Sequence, residues 1–364
     1  MKPYSAFYYL KNNRGRAAVI IFMLFFTTLM FLGGNFTDSM FWYWEDNSKY
    51  GDNIVIAGAQ SSDTDWKDYY SFIEDIKADD KLTCLECSSY GFGSPEFKTT
   101  LGFTNSSDSY VFNTKEDLEK AFDIMGIECD LSDVGDGSVV MSEIYARNLG
   151  LEKGDIVSKK RLGNDSRDFT LDALTDDNGF MCFYVCYHPE NLYRVNILSD
   201  EMEGKELYDY VEQIRGDRMV MINQRTRESI EEETSSVKAI FEIGCILLAV
   251  ILAVTANSVI TGQFIKRTYE FGVYRALGLS KGRIFRKCAA EILLMDLVAI
   301  VIGGVLIVTT SFILNELVYL PSGRFLPYCT TTGIISFAIS NLLVIVPMIL
   351  SKGHQMAKAD ITEF

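Results

Sequence analysis

Four long apolar runs constrain this chain more than any other feature. They are AAVIIFMLFFTTLMFL from Ala17 to Leu32, AIFEIGCILLAVILAVTANSVI from Ala239 to Ile260, ILLMDLVAIVIGGVLIVTTSFIL from Ile292 to Leu314, and TGIISFAISNLLVIVPMIL from Thr332 to Leu350. Crossing a bilayer core takes about 20 predominantly apolar residues, and buried helices of soluble domains rarely sustain such runs. The expectation is an α-helical membrane protein with four transmembrane helices and one large domain between the first and second. The first run is short and follows Lys2, Lys11, Arg14 and Arg16, as a signal peptide would. Its continuation FLGGNFTDSM offers no A-x-A-like cleavage site, so it is read as a retained span.

Charge sets the expected orientation. The tail before Ala17 is basic with no acid, and the connection from Gln263 to Cys288 carries Lys266, Arg267, Arg275, Lys281, Arg283, Arg286 and Lys287 against Glu270 alone. Both belong inside by the positive-inside rule, which places both termini in the cytoplasm. The chain then divides into a cytoplasmic amphipathic lead-in (1–16), transmembrane helix 1 (17–35), an extracytoplasmic α/β domain with a stalk helix (36–238), helix 2 (239–262), a cytoplasmic elbow (263–288), helix 3 (289–314), an outer hairpin (315–331), helix 4 (332–350) and a cytoplasmic tail (351–364). Residues 36–238 hold 42 acidic against 20 basic side chains, an excess larger than the whole-chain net charge of −15. Such a domain does not suit nucleic acid or anionic lipid as its ligand.

Within that domain strand and helix patterns alternate. NIVIAG reads as a strand and WKDYYSFIEDIKAD as a helix with Trp66, Tyr69, Tyr70, Ile73 and Ile76 near helical spacing. GSVVMSEIYARNLGLEKGDIVSKK gives a strand at Val139 to Met141, Ser142 as N-cap, a short helix, Gly150 as a left-handed stop, a Lys153-Gly154-Asp155 turn and a return strand. LYRVNIL, EGKELYDYVEQIRG and MVMINQ read as strand, helix and strand, a split α/β pattern rather than a sandwich. Asp172 to Gly179 reads as a turn-rich loop leading into MCFYVCYHP, a fully buried or edge strand. After Arg227 no Pro or Gly intervenes until Gly244, so the helix entering the second span should begin well outside the membrane as a rigid link.

Five cysteines fall in this domain, Cys84, Cys87, Cys129, Cys182 and Cys186, an odd count that cannot all pair within one chain. Free thiols, one or two disulfides, or a zinc site from the two Cys pairs with His188 are the alternatives, the spacing of Cys182 and Cys186 being poor for a zinc knuckle. In an extended strand those two would share a face, as packing residues do. No phosphate loop, H-E-x-x-H or G-x-S-x-G is present, and the expectation is a non-catalytic chain without a cofactor or metal of its own.

Glu291 at the start of the third span has a ready account as an anion near a helix N-terminus. Asp296, a turn deeper, could reach the interface or an Asn257 or Ser258 partner, and one shallow acid makes a poor proton relay. Ala249, Ala253 and Asn257 on span two and Ala299 and Gly303 on span three line up small residues suited to helix packing, within the chain or against a second copy. Phe41, Trp42, Tyr43 and Trp44 read as an interfacial aromatic belt, with a path for an amphipathic substrate as the alternative.

The most specific stretch is QFIKRTYEFGVYRALGLSKGRIFRKCAAEILLM. Helix is expected through Leu277, with Gly278 ending it in a left-handed conformation and Ser280 capping the next helix. YEFGVYRALGLSKGRI resembles the "REFGVLRALGAS" signature of FtsX-like ABC permeases, with Tyr269 in place of a basic residue. SVVMSEIYARNLGLEKGDIV is similar to the extracytoplasmic domain of MacB-type permeases, and YLKNNRGRAAVIIFMLFFTTLMF to their lead-in. The resemblance implies a MacB-like domain between helices 1 and 2 and a permease subunit driven by a separate ABC ATPase that carries ATP and Mg. It also implies that Glu270, Phe271, Gly272, Arg275, Ala276, Gly278, Ser280 and Arg283 contact that subunit; by physical logic a mechanical elbow also needs an apolar anchor, for which Phe271 and Leu277 are the candidates. A multi-pass cell-membrane protein in contact with lipid, working with a second permease copy or paralogue to export or extract a peptide, drug or lipid-like substrate, is the expectation. The same resemblance also admits an FtsX-like transmembrane transducer controlling an outer partner such as a cell-wall hydrolase.

Overall fold

The computed structural model describes residues 10–47, 50–59, 65–87, 95–158, 167–177, 179–187, 194–224 and 226–358. In chain order the elements are α1 (Arg14–Asn47), β1 (Ile54–Ala59), α2 (Asp65–Ala78), β2 (Thr83–Cys87), β3 (Glu96–Lys98), β4 (Thr104–Ser106), β5 (Asp108–Phe112), α3 (Lys115–Met125), β6 (Ser138–Ser142), α4 (Glu143–Leu149), β7 (Ile156–Val157), β8 (Phe169–Thr175), β9 (Met181–Val185), β10 (Arg194–Leu198), α5 (Gly204–Arg215), β11 (Val220–Asn223), α6 (Arg227–Ile265), α7 (Thr268–Ala276), α8 (Lys281–Leu314) and α9 (Thr331–Lys358). They form two compact units. One is Met1–Asp38, Val237–Leu314 and Leu326–Phe364, the other Ser39–Ser236 and Asn315–Phe325.

In the helical unit, α1, α6, α8 and α9 each contain a stretch long and apolar enough to cross a membrane. Ala17, Ile20 and Leu24 of α1, Ala256, Ile260 and Phe264 of α6, Ile284, Ile292, Met295 and Ala299 of α8, and Val344, Ile345 and Met348 of α9 share one core. Backbones come close where side chains are small. A Cβ on Gly34 would overlap the backbone of Gly333, and one on Gly303 would overlap the Thr28 side chain. Asn35, fully buried, donates to Tyr328 O at 3.0 Å and accepts from Thr330 Oγ1 at 3.0 Å, fastening α1 to the entry of α9. The helices outrun the apolar runs that announced them: α8 starts at Lys281, directly after Ser280 as expected, and Ile284 and Cys288 in its first turns are already buried. α6 is one uninterrupted helix from Arg227, as the lack of breakers before Gly244 requires.

The α/β unit has two main sheets. The first runs β11-β1-β10-β2, all antiparallel, with α2 between β1 and β2 and α5 between β10 and β11. That is the split βαβ order of a ferredoxin-like sheet, with the other strands inserted between β2 and β10. Tyr69, Phe72 and Ile76 of α2 and Leu207 and Val211 of α5 bury against one face of it. The opposite face, through Ile54, Leu85 and Leu198, shares a core with Phe183 and Val140 of the second sheet and Leu118 and Phe122 of α3. The second sheet is mixed, in the order β5-β9-β6-β8-β7. Asn196, 1% exposed on β10, donates to Val111 O of β5 at 2.8 Å and so ties the two sheets. Burying an amide is costly without such a partner.

Most local expectations match the unit. Ser142 caps α4 by accepting from Tyr145 N, Gly150 ends it at φ +68°, and Gly154 turns at φ +94° into β7. β9 is buried and central rather than an edge. The expected loop at Asp172 to Gly179 is wrong over its first half: β8 continues to Thr175, because Phe169, Leu171, Ala173 and Thr175 alternate inward and hide a two-residue period among polar letters. All eight cysteines are free thiols. Cys182 and Cys186 share a buried face with Tyr184, and burial pushes the Cys87 and Cys182 thiols up to about 12, so they pack as protonated apolar groups. Among the described residues no cluster of His, Cys, Asp or Glu could hold a metal. His188 and the side chains of Phe41, Trp42, Tyr43 and Trp44 lie outside what the structure describes.

The hairpin after α8 belongs to the α/β unit. A π-helical turn, Asn315–Tyr319, and a 3-10 turn, Leu320–Ser322, lead into a hairpin whose backbone carbonyls meet α4 and the loop after β3. Asn148 Nδ2 donates to Gly323 O at 2.9 Å, Thr100 Oγ1 to Phe325 O at 3.1 Å, and Arg147 Nη1 to Leu320 O at 3.4 Å. Gly323 lies at φ +60° against the backbone of Ile144 and Asn148, where a Cβ has no room.

Candidate functional site

The elbow is built from the two chain reversals that bound α7. At its start Arg267 N donates to Phe264 O at 2.9 Å and Phe271 N to Arg267 O at 3.2 Å, so α6 gives way to α7 across Lys266 and Arg267. At its end Gly278 N donates to Arg275 O at 2.9 Å and Leu279 N to Tyr274 O at 3.1 Å, with Gly278 at φ +86°. These paired bonds satisfy the last carbonyls of the helix, and the left-handed residue between them favours glycine. α8 then begins at Lys281, its first carbonyl partner being Ser280 O, which accepts from Ile284 N at 3.2 Å.

The inner face of α7 is sealed. Phe271 is fully buried among Phe264, Ile284 and Cys288, with Gly272 beside it. The outer face carries Tyr269 at 69% and Leu277 at 72% exposure. Ala276, Gly278, Ser280 and Arg283 are also exposed, while Glu270 and Arg275 are half-buried. Of the eight residues expected at a partner surface, four therefore face outward, two stand at the margin, and Phe271 and Gly272 hold the helix down. Leu277, expected as a second anchor, points away from the core.

Around Arg267 the charges close into a ring. Its guanidinium, 2% exposed, reaches Glu291 at 2.8 Å and Glu270 at 3.0 Å. Glu270 accepts from Tyr274 Oη at 3.1 Å, the Lys287 ammonium lies 5.1 Å from the centre of the Tyr274 ring, and Lys287 returns to Glu291 at 3.4 Å. The rings of Phe264 and Phe271 stand 5.5 and 4.9 Å from the Arg267 guanidinium. Burial opposes the charge on Arg267, but the carboxylates of Glu291 and Glu270 outweigh it and leave its pKa raised. For Glu270 burial likewise opposes the charge, and Arg267, with the Tyr274 hydroxyl, reverses that and holds the carboxyl below its ordinary value. Burial and the Glu270 charge push Tyr274 up to about 12.

Two sequence expectations need correction here. Glu291 is not an N-terminal anion, since α8 begins well before it at Lys281, and it serves instead as the fully buried partner of Arg267 and Lys287. Asp296 pairs with neither Asn257 nor Ser258 but accepts from Asn341 Nδ2 of α9 at 2.9 Å, because α8 packs along α9 at that level. The small residues are taken up inside the chain. Ala249 and Ala299 are fully buried, Ala253 packs against the common core, Gly303 meets Thr28, and Asn257 is half-buried. Sequence reasoning missed the ring because Arg267 and Lys287 were already accounted for as orientation charges. The spacings Arg267 to Glu270 and Lys287 to Glu291, three and four residues apart on helices, were the available signal.

Residues 241–352 match the family model described as FtsX-like permease C-terminal. That stretch is similar to the FtsX-like permease family. The FtsX-like stretch takes in α6 from residue 241, all of α7 and α8, and α9 to residue 352, and so contains the elbow and three of the four candidate spans. The α/β strands and α1 lie outside it. No individual curated protein matches the sequence. Four apolar helices and a permease family together describe a multi-pass membrane protein with a large α/β region.

Proposed function

We propose that this chain is the non-catalytic permease subunit of an ABC transporter, moved by a separate ATPase subunit that docks on the outer face of α7. The observation that carries the proposal is the contrast between the two faces of one short helix inside the FtsX-like stretch. Phe271 is wholly buried, while Tyr269 and Leu277 are more than two-thirds exposed. An apolar pair with Ser280 and Arg283 at its rim fits a protein partner, whose interface cores favour aromatic and aliphatic anchors inside a polar border. ATP and Mg belong to that partner. The elbow's basic excess supports a cytoplasmic elbow, and with four crossings the α/β unit would then lie outside.

The working assembly we propose contains two permease chains. α6 supports this, since its apolar window is only 11% buried within the chain against 33–39% for the other three, leaving it the span with most surface to offer a second copy or paralogue. The α/β unit is the part that would act on the substrate, a peptide, drug or lipid-like molecule. The test is purification in mild detergent followed by assay for ATP hydrolysis. An ABC ATPase should accompany the chain, and all hydrolysis should leave with it when the two are separated; hydrolysis by the stripped chain would refute this division of roles.

A further inference from the structure

We propose that Arg267 is a positioning residue: through the ring Arg267, Glu270, Tyr274, Lys287 and Glu291 it locks the elbow helix to the first turns of α8. This rests on the elbow's role as a docking site only for its consequence, not for the lock itself. The ring joins three elements: Arg267 stands at the break between α6 and α7, Glu270 and Tyr274 belong to α7, and Lys287 and Glu291 to α8. Every link has a geometry, from 2.8 Å at Arg267 to Glu291 to 5.1 Å at Lys287 over the Tyr274 ring. Two cations and two carboxylates leave the ring neutral.

Stability alone does not call for it. The ring sits in a core already supplied with Phe264, Phe271, Ile284 and Cys288, and replacing a buried ion pair by apolar side chains of similar volume is often neutral or stabilising. What a charged ring adds is direction. Apolar contacts tolerate sliding and repacking, whereas a planar guanidinium fixed on two carboxylates of two helices accepts one mutual orientation. Gly278 and Leu279 fix the far end of α7 by the reversal already described, so the short helix is held at both ends. A load on Tyr269 or Leu277 then moves α7 with the base of α8 and does not swivel α7 alone. Glu270, at 39% exposure of its side chain, and Tyr274 are the ring's partly exposed members, while Arg267, Lys287 and Glu291 are inside, so the lock is within reach of a docked partner from the α7 side.

The full chain in a detergent micelle or nanodisc, without partner, is compared with the variant Arg267→Met/Glu291→Gln by amide hydrogen exchange. That pair removes one charge of each sign and keeps volume. Exchange over residues 268–277 should accelerate about tenfold or more while α9 and the α/β unit keep native protection. Native protection over 268–277 in that variant overturns the lock. Should the double variant lose protection throughout, Arg267→Lys decides: its ammonium lacks the rigid planar fork that meets Glu270 through Nε and Glu291 through Nη1, so acceleration confined to the elbow supports the lock and native exchange overturns it. ATPase copurification is followed in parallel. A wild-type chain that recovers no ATPase defeats the docking proposal and leaves the exchange result standing on its own.

Discussion

Gly303 of α8 lies directly against the side chain of Thr28 on α1, so closely that a single added methyl would occupy the position of the threonine hydroxyl. Both residues are buried, and Thr28 Oγ1 donates to Phe25 O, so the threonine has no spare rotamer without losing that bond. Gly303→Val should cost about 1–3 kcal/mol by overpacking and lower the thermal midpoint in detergent. Gly304 next to it has open space, and Gly304→Ala should leave the stability within about 0.5 kcal/mol of native. Equal effects of the two would contradict the packing described.

The hairpin at 315–325 gives a second expectation. Gly323 combines a left-handed backbone with contact to Ile144 and Asn148, so Gly323→Val combines backbone strain with a clash against backbone that cannot yield. The three carbonyls accepting from Arg147, Asn148 and Thr100 should be released together. Limited proteolysis in the intact chain should show faster cleavage within 315–325, with α4 and β6 unchanged. Unaltered cleavage would mean that the hairpin is held by something other than these bonds.

At Gly278 the penalty is conformational only, since no atom lies where its Cβ would go. Gly278→Ala should therefore cost roughly 1–2 kcal/mol from its φ of +86° alone, with Gly278→Val no better. Gly282→Ala, in the first turn of α8 outside the positive-φ region and in open space, should be neutral or slightly stabilising. Amide exchange across 274–279 distinguishes the two: the first should loosen the reversal and the second should not.

Much of this was legible in the sequence where a residue type has one strong local use. Ser142 and Gly150 bracket α4, Gly278 ends α7, and long apolar runs have no common soluble alternative. β5 and α3 were equally available, since Thr114 caps α3 and Leu118, Ala121, Phe122 and Met125 form its buried stripe, but no motif drew attention to them. Asp172 concealed β8 because one acidic residue on the outward face of a strand resembles a turn. The ring around Arg267 was hidden for a different reason. Each of its charges has a sufficient local explanation, and only the convergence of α6, α7 and α8 shows that they belong to one another. It also changes what Glu270 can be expected to do: Glu270→Lys would break the ring from within, so loss of a partner in that variant would not identify a docking surface.

The most direct measurement is recovery of the ATPase subunit with a chain carrying Tyr269→Asp and Leu277→Asp. Both positions are exposed and lie outside the apolar core, and the variant should insert at the native level with native hydrogen exchange in α7 and α8. Truncating or charging the anchors of an interface commonly costs 2 kcal/mol or more, about thirtyfold in affinity, so ATPase recovery should fall to a small fraction of native. Native recovery of the ATPase with both aspartates in place would contradict docking on α7.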